Sequence, residues 1–195
     1  DLWRCREDAK ADLRRAWQRL GKFLLRRGRT YNHGRAWTGL HMKWLRQQTW
    51  ELIADRTVFG DYLQAVEQIE VRIESIDDAI YTASQTDRYI EAVGQLRCFR
   101  GIDTTTAMSV VAELHDFRRF HKPRQLMSYL GLTPSEYSSG GTSRRGGITK
   151  TGNSHVRRLL IESAWHYRHR PRVGVNLRKR RAGQPASAIS IADKA

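Results

Sequence analysis

From Leu2 to Arg27 the apolar residues Leu2, Cys5, Ala9, Leu13, Trp17, Leu20 and Leu24 recur at helical spacing. Arg14, Arg15, Arg19, Lys22, Arg26 and Arg27 crowd the remaining positions, and Gly28 is the expected stop. A loop comes next, and Thr38 stands as the N-cap of a second helix carrying Leu40, Trp44, Leu45 and Leu52. Tyr62, Val66, Ile69, Ile73, Ile76 and Ile80 then alternate spacings of four and three. That heptad seam predicts either a coiled coil joining subunits or a long helix of an ordinary bundle.

Leu96 to Phe120 reads as two short helices around a tight turn at Gly101-Ile102-Asp103, the second helix carrying Ala107, Val110, Val111 and Leu114. A short helix over Gln125 to Leu130 leads into the glycine-rich run from Gly131 to Asn153. Asn153 or Ser154 caps a further helix with Val156, Leu159, Leu160, Ser163, Ala164 and Tyr167 on one face. Beyond Pro171 the basic sequence, interrupted by Gly183 and Pro185, reads as a mobile or partner-dependent tail. No segment carries a convincing strand pattern. The expected class is mainly α: a helical region with a long coiled-coil-like helix, then a helix-hairpin-helix-type domain with a Gly/Ser-rich loop. Its expected divisions are 1–57, 58–93, 94–172 and 173–195.

Charge changes this picture most. The 195 residues carry a formal net charge of +15, so a polyanion is the expected partner and nucleic acid the commonest one. An anionic membrane surface is the weaker reading, because no segment joins a clean cationic face to a bulky apolar one. No apolar run reaches membrane-spanning length, and the charged N-terminus is unlike a signal peptide. Cys5 and Cys98 lie far apart and form no metal-spaced pair, as expected of a cytoplasmic protein with two reduced thiols.

Candidate chemistry concentrates in two places. The Gly101 turn opens on Thr104, Thr105 and Thr106, where free backbone N–H groups and the helix dipole make an anion site. The loop GLTPSEYSSGGTSRRGGITKTGN combines Gly140 and Gly141 with Ser138, Ser139, Arg144, Arg145, Lys150 and Thr151. Glycines let a phosphate backbone approach, and the cations neutralise its oxygens. A serine there could attack phosphorus, but it needs activation, and Glu136 is the one acid in the loop. Composition alone favours a passive phosphate cradle. The seven histidines lack metal-binding spacing; His155 reads as a DNA contact or a packing residue. Glu67, Glu70, Glu74, Asp77 and Asp78 look like solvated charge along the heptad helix, so no metal cage is expected. The six tryptophans fit core packing better than base stacking.

The GID hairpin, the LGLTPSE turn, the SSGG pair and the ITKTGN-to-RRLL helix entry occur in one order between Leu96 and Trp165. In this order they resemble the C-terminal domain of the insertion-sequence one-ten transposases, particularly the one-one-one-one branch. The upstream segment from Asp1 to Tyr31 resembles the stretch that comes after that family's N-terminal domain.

The resemblance implies a DNA transposase or site-specific recombinase. Such proteins pair a RuvC-like DEDD domain binding Mg²⁺ with a C-terminal serine, and some use a guide RNA. Carried over, the serine is Ser139, with Ser138 as the nearest alternative. DNA contacts are expected from Gly101, Asp103 and Thr105 at the hairpin. The loop would add Gly140, Gly141, Arg144, Arg145, Lys150 and Thr151, and the next helix Asn153 and Arg157. On this view 58–93 is a dimerisation helix, 94–172 the DNA-binding domain with the serine loop, and 173–195 a truncated basic tail.

The acidic domain is missing from the sequence, so no cofactor is expected on this chain and Mg²⁺ would belong to that missing domain. The expectation is a C-terminal portion, inactive by itself, acting at the bacterial nucleoid with DNA, a possible guide RNA and a second copy. The rival is a non-catalytic, truncated nucleic-acid-binding and dimerising remnant. A helix-hairpin-helix repair protein leaves the SSGG run unexplained.

Overall fold

The computed structural model describes residues 1–195, which cluster into two compact units, Asp1–Ala79 and Ile80–Ala195. In the first, α1 spans Leu2–Arg26 and buries Ala9, Leu13, Ala16, Leu20, Phe23 and Leu24 along one stripe. Full burial of a leucine such as Leu20 is worth about 1.5–3 kcal/mol. The helix stops through paired backbone bonds, Gly28 N–H to Leu25 O at 3.1 Å and Arg29 N–H to Leu24 O at 3.0 Å. This is the Schellman pattern expected at Gly28.

α2 (Gly39–Arg46) starts at Thr38, whose hydroxyl accepts the His41 N–H at 3.4 Å. It ends at Arg46, and the next helix, α3, spans Ile53–Ser84. Leu52, expected on α2, therefore lies between the two helices and is 65% exposed. Trp17, Trp37, Trp44 and Trp50 pack against the buried residues of this unit, as core aromatics do. Tyr62, Val66, Ile69 and Ile73 of the heptad seam do the same. That stretch of the seam is thus occupied by the chain's own α1 and α2 core. Two of the acids read as solvated are instead paired: Asp77 with Arg6, and Glu67 with Arg46 at 2.8 Å. Arg27 grips Asp55 through two bonds of 2.6 and 2.8 Å, which hold the Asp55 carboxyl below its usual range.

The second unit takes in the end of α3 from Ile80 and then α4 (Ile90–Leu96) and α5 (Thr104–Leu114), which pack on one another. The helix entering the Gly101 turn therefore ends at Leu96, where the sequence pattern suggested it would begin. A single 3-10 turn (Phe117–Arg119) and α6 (Pro123–Tyr129) come next. Two short antiparallel strands, β1 (Pro134–Glu136) and β2 (Arg145–Ile148), pair Pro134 with Ile148 and Glu136 with Arg145. Sequence patterning missed this hairpin because both strands are largely exposed and have no apolar alternation to read. α7 (Ser154–Ala164) packs against α5 and continues as a 3-10 turn, Trp165–Arg168.

Residues 173–195, expected as a mobile or partner-dependent tail, are largely helical. They form α8 (Val175–Arg181) and α9 (Ala186–Lys194), with Leu177 and Ala192 buried. Arg181 bonds the Cys98 carbonyl at 3.0 Å and Asp193 at 2.7 Å. Few apolar residues anchor this segment, so its charge masked the helices in the sequence. Taken whole, the fold is mainly helical, with one small sheet. No helix is long and apolar enough to cross a membrane.

Candidate nucleic-acid interface

The Gly101 turn and the glycine-rich loop belong to the second unit and meet through α5 and α7. Asp103 is the N-cap of α5; its carboxylate accepts the Thr106 N–H at 2.7 Å. One of the donors that would make this helix start an anion site is therefore already satisfied by the chain's own acid. Thr105 lies half-buried in the same first turn. On the other side of the turn, Ser163 Oγ of α7 lies 3.1 Å from the Gly101 carbonyl.

Asn153 performs two tasks at the end of the loop. Its side-chain carbonyl caps α7 by accepting the Val156 N–H at 3.0 Å, and its amide donates to Glu113 of α5 at 2.7 Å. Two residues on, His155 Nε2 sits 3.1 Å from the hydroxyl of buried Ser109. This contact ties α7 to α5. Arg157, expected to face DNA, turns inward: one guanidinium nitrogen donates to the carbonyls of Leu130 at 2.7 Å and Thr151 at 2.8 Å. It clamps the loop's two ends together. Gly152 lies in the same crossing with φ +71°, and a β-carbon there would collide with the Tyr129 carbonyl.

Between those ends the loop rises as the β1–β2 hairpin, extended by Tyr137 N–H to Arg144 O at 2.8 Å. At its tip Ser139 and Thr142 exchange backbone bonds of 3.2 and 3.1 Å. The two residues between them, Gly140 and Gly141, have φ of +53° and +85°. Positive φ at both centres is the signature of a type I′ turn, which matches the twist of a hairpin and which glycine adopts without penalty.

Ser139 is exposed at the base of that turn, and its hydroxyl makes no hydrogen bond within the chain. Ser138 differs. Its hydroxyl donates to Glu136 Oε1 at 2.7 Å and accepts the Arg144 N–H at 3.3 Å. Sequence reading noted Glu136 but could not pair it, because the partnership depends on the hairpin returning at Arg144. Arg144, Arg145 and Lys150 are exposed and free of carboxylate partners. Lys150 has φ +57°, a left-handed conformation uncommon for lysine, and its N–H bonds the Gly131 carbonyl at 3.0 Å. The hairpin thus concentrates hydroxyls, backbone amides and unpaired cations at one exposed place. No group of three or more His, Cys, Asp or Glu residues is disposed to hold a metal ion.

A basic helical unit carrying an exposed cationic hairpin is the class these features define. Residues 94–177 match the model of the transposase family of IS116, IS110 and IS902. That match takes in the Gly101 turn, the hairpin and α7. Across its whole length the chain is 38% identical to "Putative transposase y4qE" of Sinorhizobium fredii, covering 47% of that protein. It is 32% identical, also over its full length, to the transposase for insertion sequence element IS1533 of Leptospira borgpetersenii, covering 57% of it. A 93-residue stretch is 36% identical to the transposase for IS1111A of Coxiella burnetii. The chain therefore spans about half the length of the curated relatives it matches.

Proposed function

We propose that this chain acts in the DNA transposition of an insertion sequence, binding DNA through the hairpin and presenting Ser139 as the nucleophile toward a DNA phosphate. The observation that carries the reading is the tip geometry: Ser139 is exposed, uncommitted to any internal hydrogen bond, and succeeded by two glycines that leave space for a DNA backbone. In the step itself, Ser139 Oγ forms a bond to phosphorus as a bond from phosphorus to a deoxyribose oxygen breaks. The serine proton passes to a base and the departing oxygen takes one up. Arg144, Arg145 and Lys150 supply positive charge for the non-bridging oxygens.

Mg²⁺, implied by the family resemblance, finds no matching donor set in this chain. The carboxylates would come from other sequence, as the length of the relatives allows; without them the chain binds but does not cleave. A guide RNA, which the resemblance supports, and pairing with a second copy, which the resemblance and the heptad seam support, are parts of the proposal.

One observation favours a second reading. Ser138 is the hydroxyl with a carboxylate in place to accept its proton, Glu136 at 2.7 Å. Its simultaneous bond from the Arg144 N–H fits a brace of the hairpin better than a free nucleophile. Strand transfer and covalent trapping on labelled element-end DNA, with the carboxylate domain supplied, separate the two. Ser139→Ala is expected to abolish both signals while Ser138→Ala retains them. Normal recombination by Ser139→Ala would sink the assignment. Loss confined to Ser138→Ala would transfer the role to Ser138.

A further inference from the structure

Beside the Gly101 turn lies a cleft of about 430 Å³ that the hairpin does not contribute to. Its walls include Arg100, His166, His169, Arg170, Arg172 and Arg180, and no carboxylate lines it. The positions of these cations are set by the fold. Arg100 stacks over Tyr167 at 4.3 Å and donates to the His169 carbonyl at 3.3 Å. Arg180 donates to the Ile102 carbonyl, while its Nε is buried with no partner. Arg170 and Arg172 are exposed and make no ion pair. The wall that bears Arg180 is α8, held down by Leu177 and by the bonds of Arg181 to Cys98 and Asp193.

Asp103 attracts Arg180 from outside the lining, but four guanidinium groups in a lining that holds no acid repel one another, and a folded chain tolerates this where an anion shares the site. We propose that this cleft is a second DNA-backbone site, taking phosphates of duplex DNA independently of the hairpin. The proposal rests on the DNA-binding reading above. Duplex backbone suits it better than unpaired bases, since single-strand sites add aromatic platforms and no Phe, Tyr or Trp lines this cleft. It also relocates the anion site expected of the Gly101 turn. Asp103 caps the start of α5, whereas Arg100, Gly101 and Arg180 gather on the cleft.

The test is fluorescence anisotropy of the intact chain with a duplex of arbitrary sequence over a range of salt. Arg170→Ala/Arg172→Ala removes two cations from an exposed segment without touching a buried contact. The slope of log K against log salt is expected to become shallower by about 1.8, since each neutralised phosphate contributes about 0.9. Arg170→Lys/Arg172→Lys is expected to restore it, which a merely structural role of arginine would not do. Arg144→Ala/Arg145→Ala, measured alongside, reports on the hairpin. If only the hairpin variant lowers the slope, the cleft proposal fails and the DNA reading stands. If the unaltered chain does not bind duplex, both fail. An effect of the cleft variant confined to single-stranded RNA of equal length would also overturn the duplex assignment.

Discussion

Two residues in the first unit sit where physics would not place them without a reason. Trp37 has φ +60°, costly for a bulky side chain, yet it stacks on Trp17 at 5.1 Å. Its N–H donates to Nδ1 of buried His41 at 3.0 Å, so that nitrogen must be unprotonated. Burial pushes the His41 pKa below its ordinary value of 6.5. As pH falls below that value, the unfolded chain takes up the proton before the folded one does. The stability contribution is therefore complete above pH 6.5 and is lost as pH falls through the folded-state pKa. Thermal melts monitored by tryptophan fluorescence from pH 8 down to about pH 5 are expected to show a fall in Tm. His41→Asn, which keeps an acceptor without a titration, is expected to flatten it; an unchanged slope in that variant would assign the effect elsewhere.

At the level of elements, the helices were legible because burial imposes a period. Leu13, Leu20 and Leu24 recur because one face of α1 is covered, and Thr38 and Asn153 cap because a helix start leaves donors unpaired. The β1–β2 hairpin has no such imprint; its clearest sequence signal was the Gly140-Gly141 pair, read as permissiveness toward phosphate rather than as a turn. Gly140→Val/Gly141→Val would force two β-branched residues to positive φ, at about 1–2 kcal/mol each. The helical circular-dichroism signal is expected to hold while limited proteolysis cuts faster between Tyr137 and Arg144. Gly140→Asn, compatible with a type I′ turn, should protect the hairpin again. Equal proteolysis of both variants would argue against this turn.

For the whole molecule, charge governs what can be foreseen. With 35 Lys and Arg against 20 Asp and Glu, association of the unaltered chain with arbitrary duplex DNA is expected to weaken steeply with salt. A salt-independent affinity would show that backbone contacts do not dominate. Each compact unit pairs some of its arginines with acids, as Arg118, Arg158 and Arg181 do in the second. In the first, Arg6, Arg27 and Arg46 pair with acids, whereas Arg144, Arg145, Arg170 and Arg172 of the second do not.

The sequence by itself determined the helical class, the cap at Thr38, the net charge of +15 and the order of motifs that resembles the transposase family, because each is a local pattern or a sum over residues. The resemblance carried by that order implied Ser139, with Ser138 as the alternative. Only the tertiary structure decided that Arg157 holds the loop shut, that Ser138 is bonded to Glu136 while Ser139 is uncommitted, and that residues 173–195 dock to complete an arginine cleft. These depend on contacts between residues distant in sequence. No period or composition records where a guanidinium will find its carbonyl.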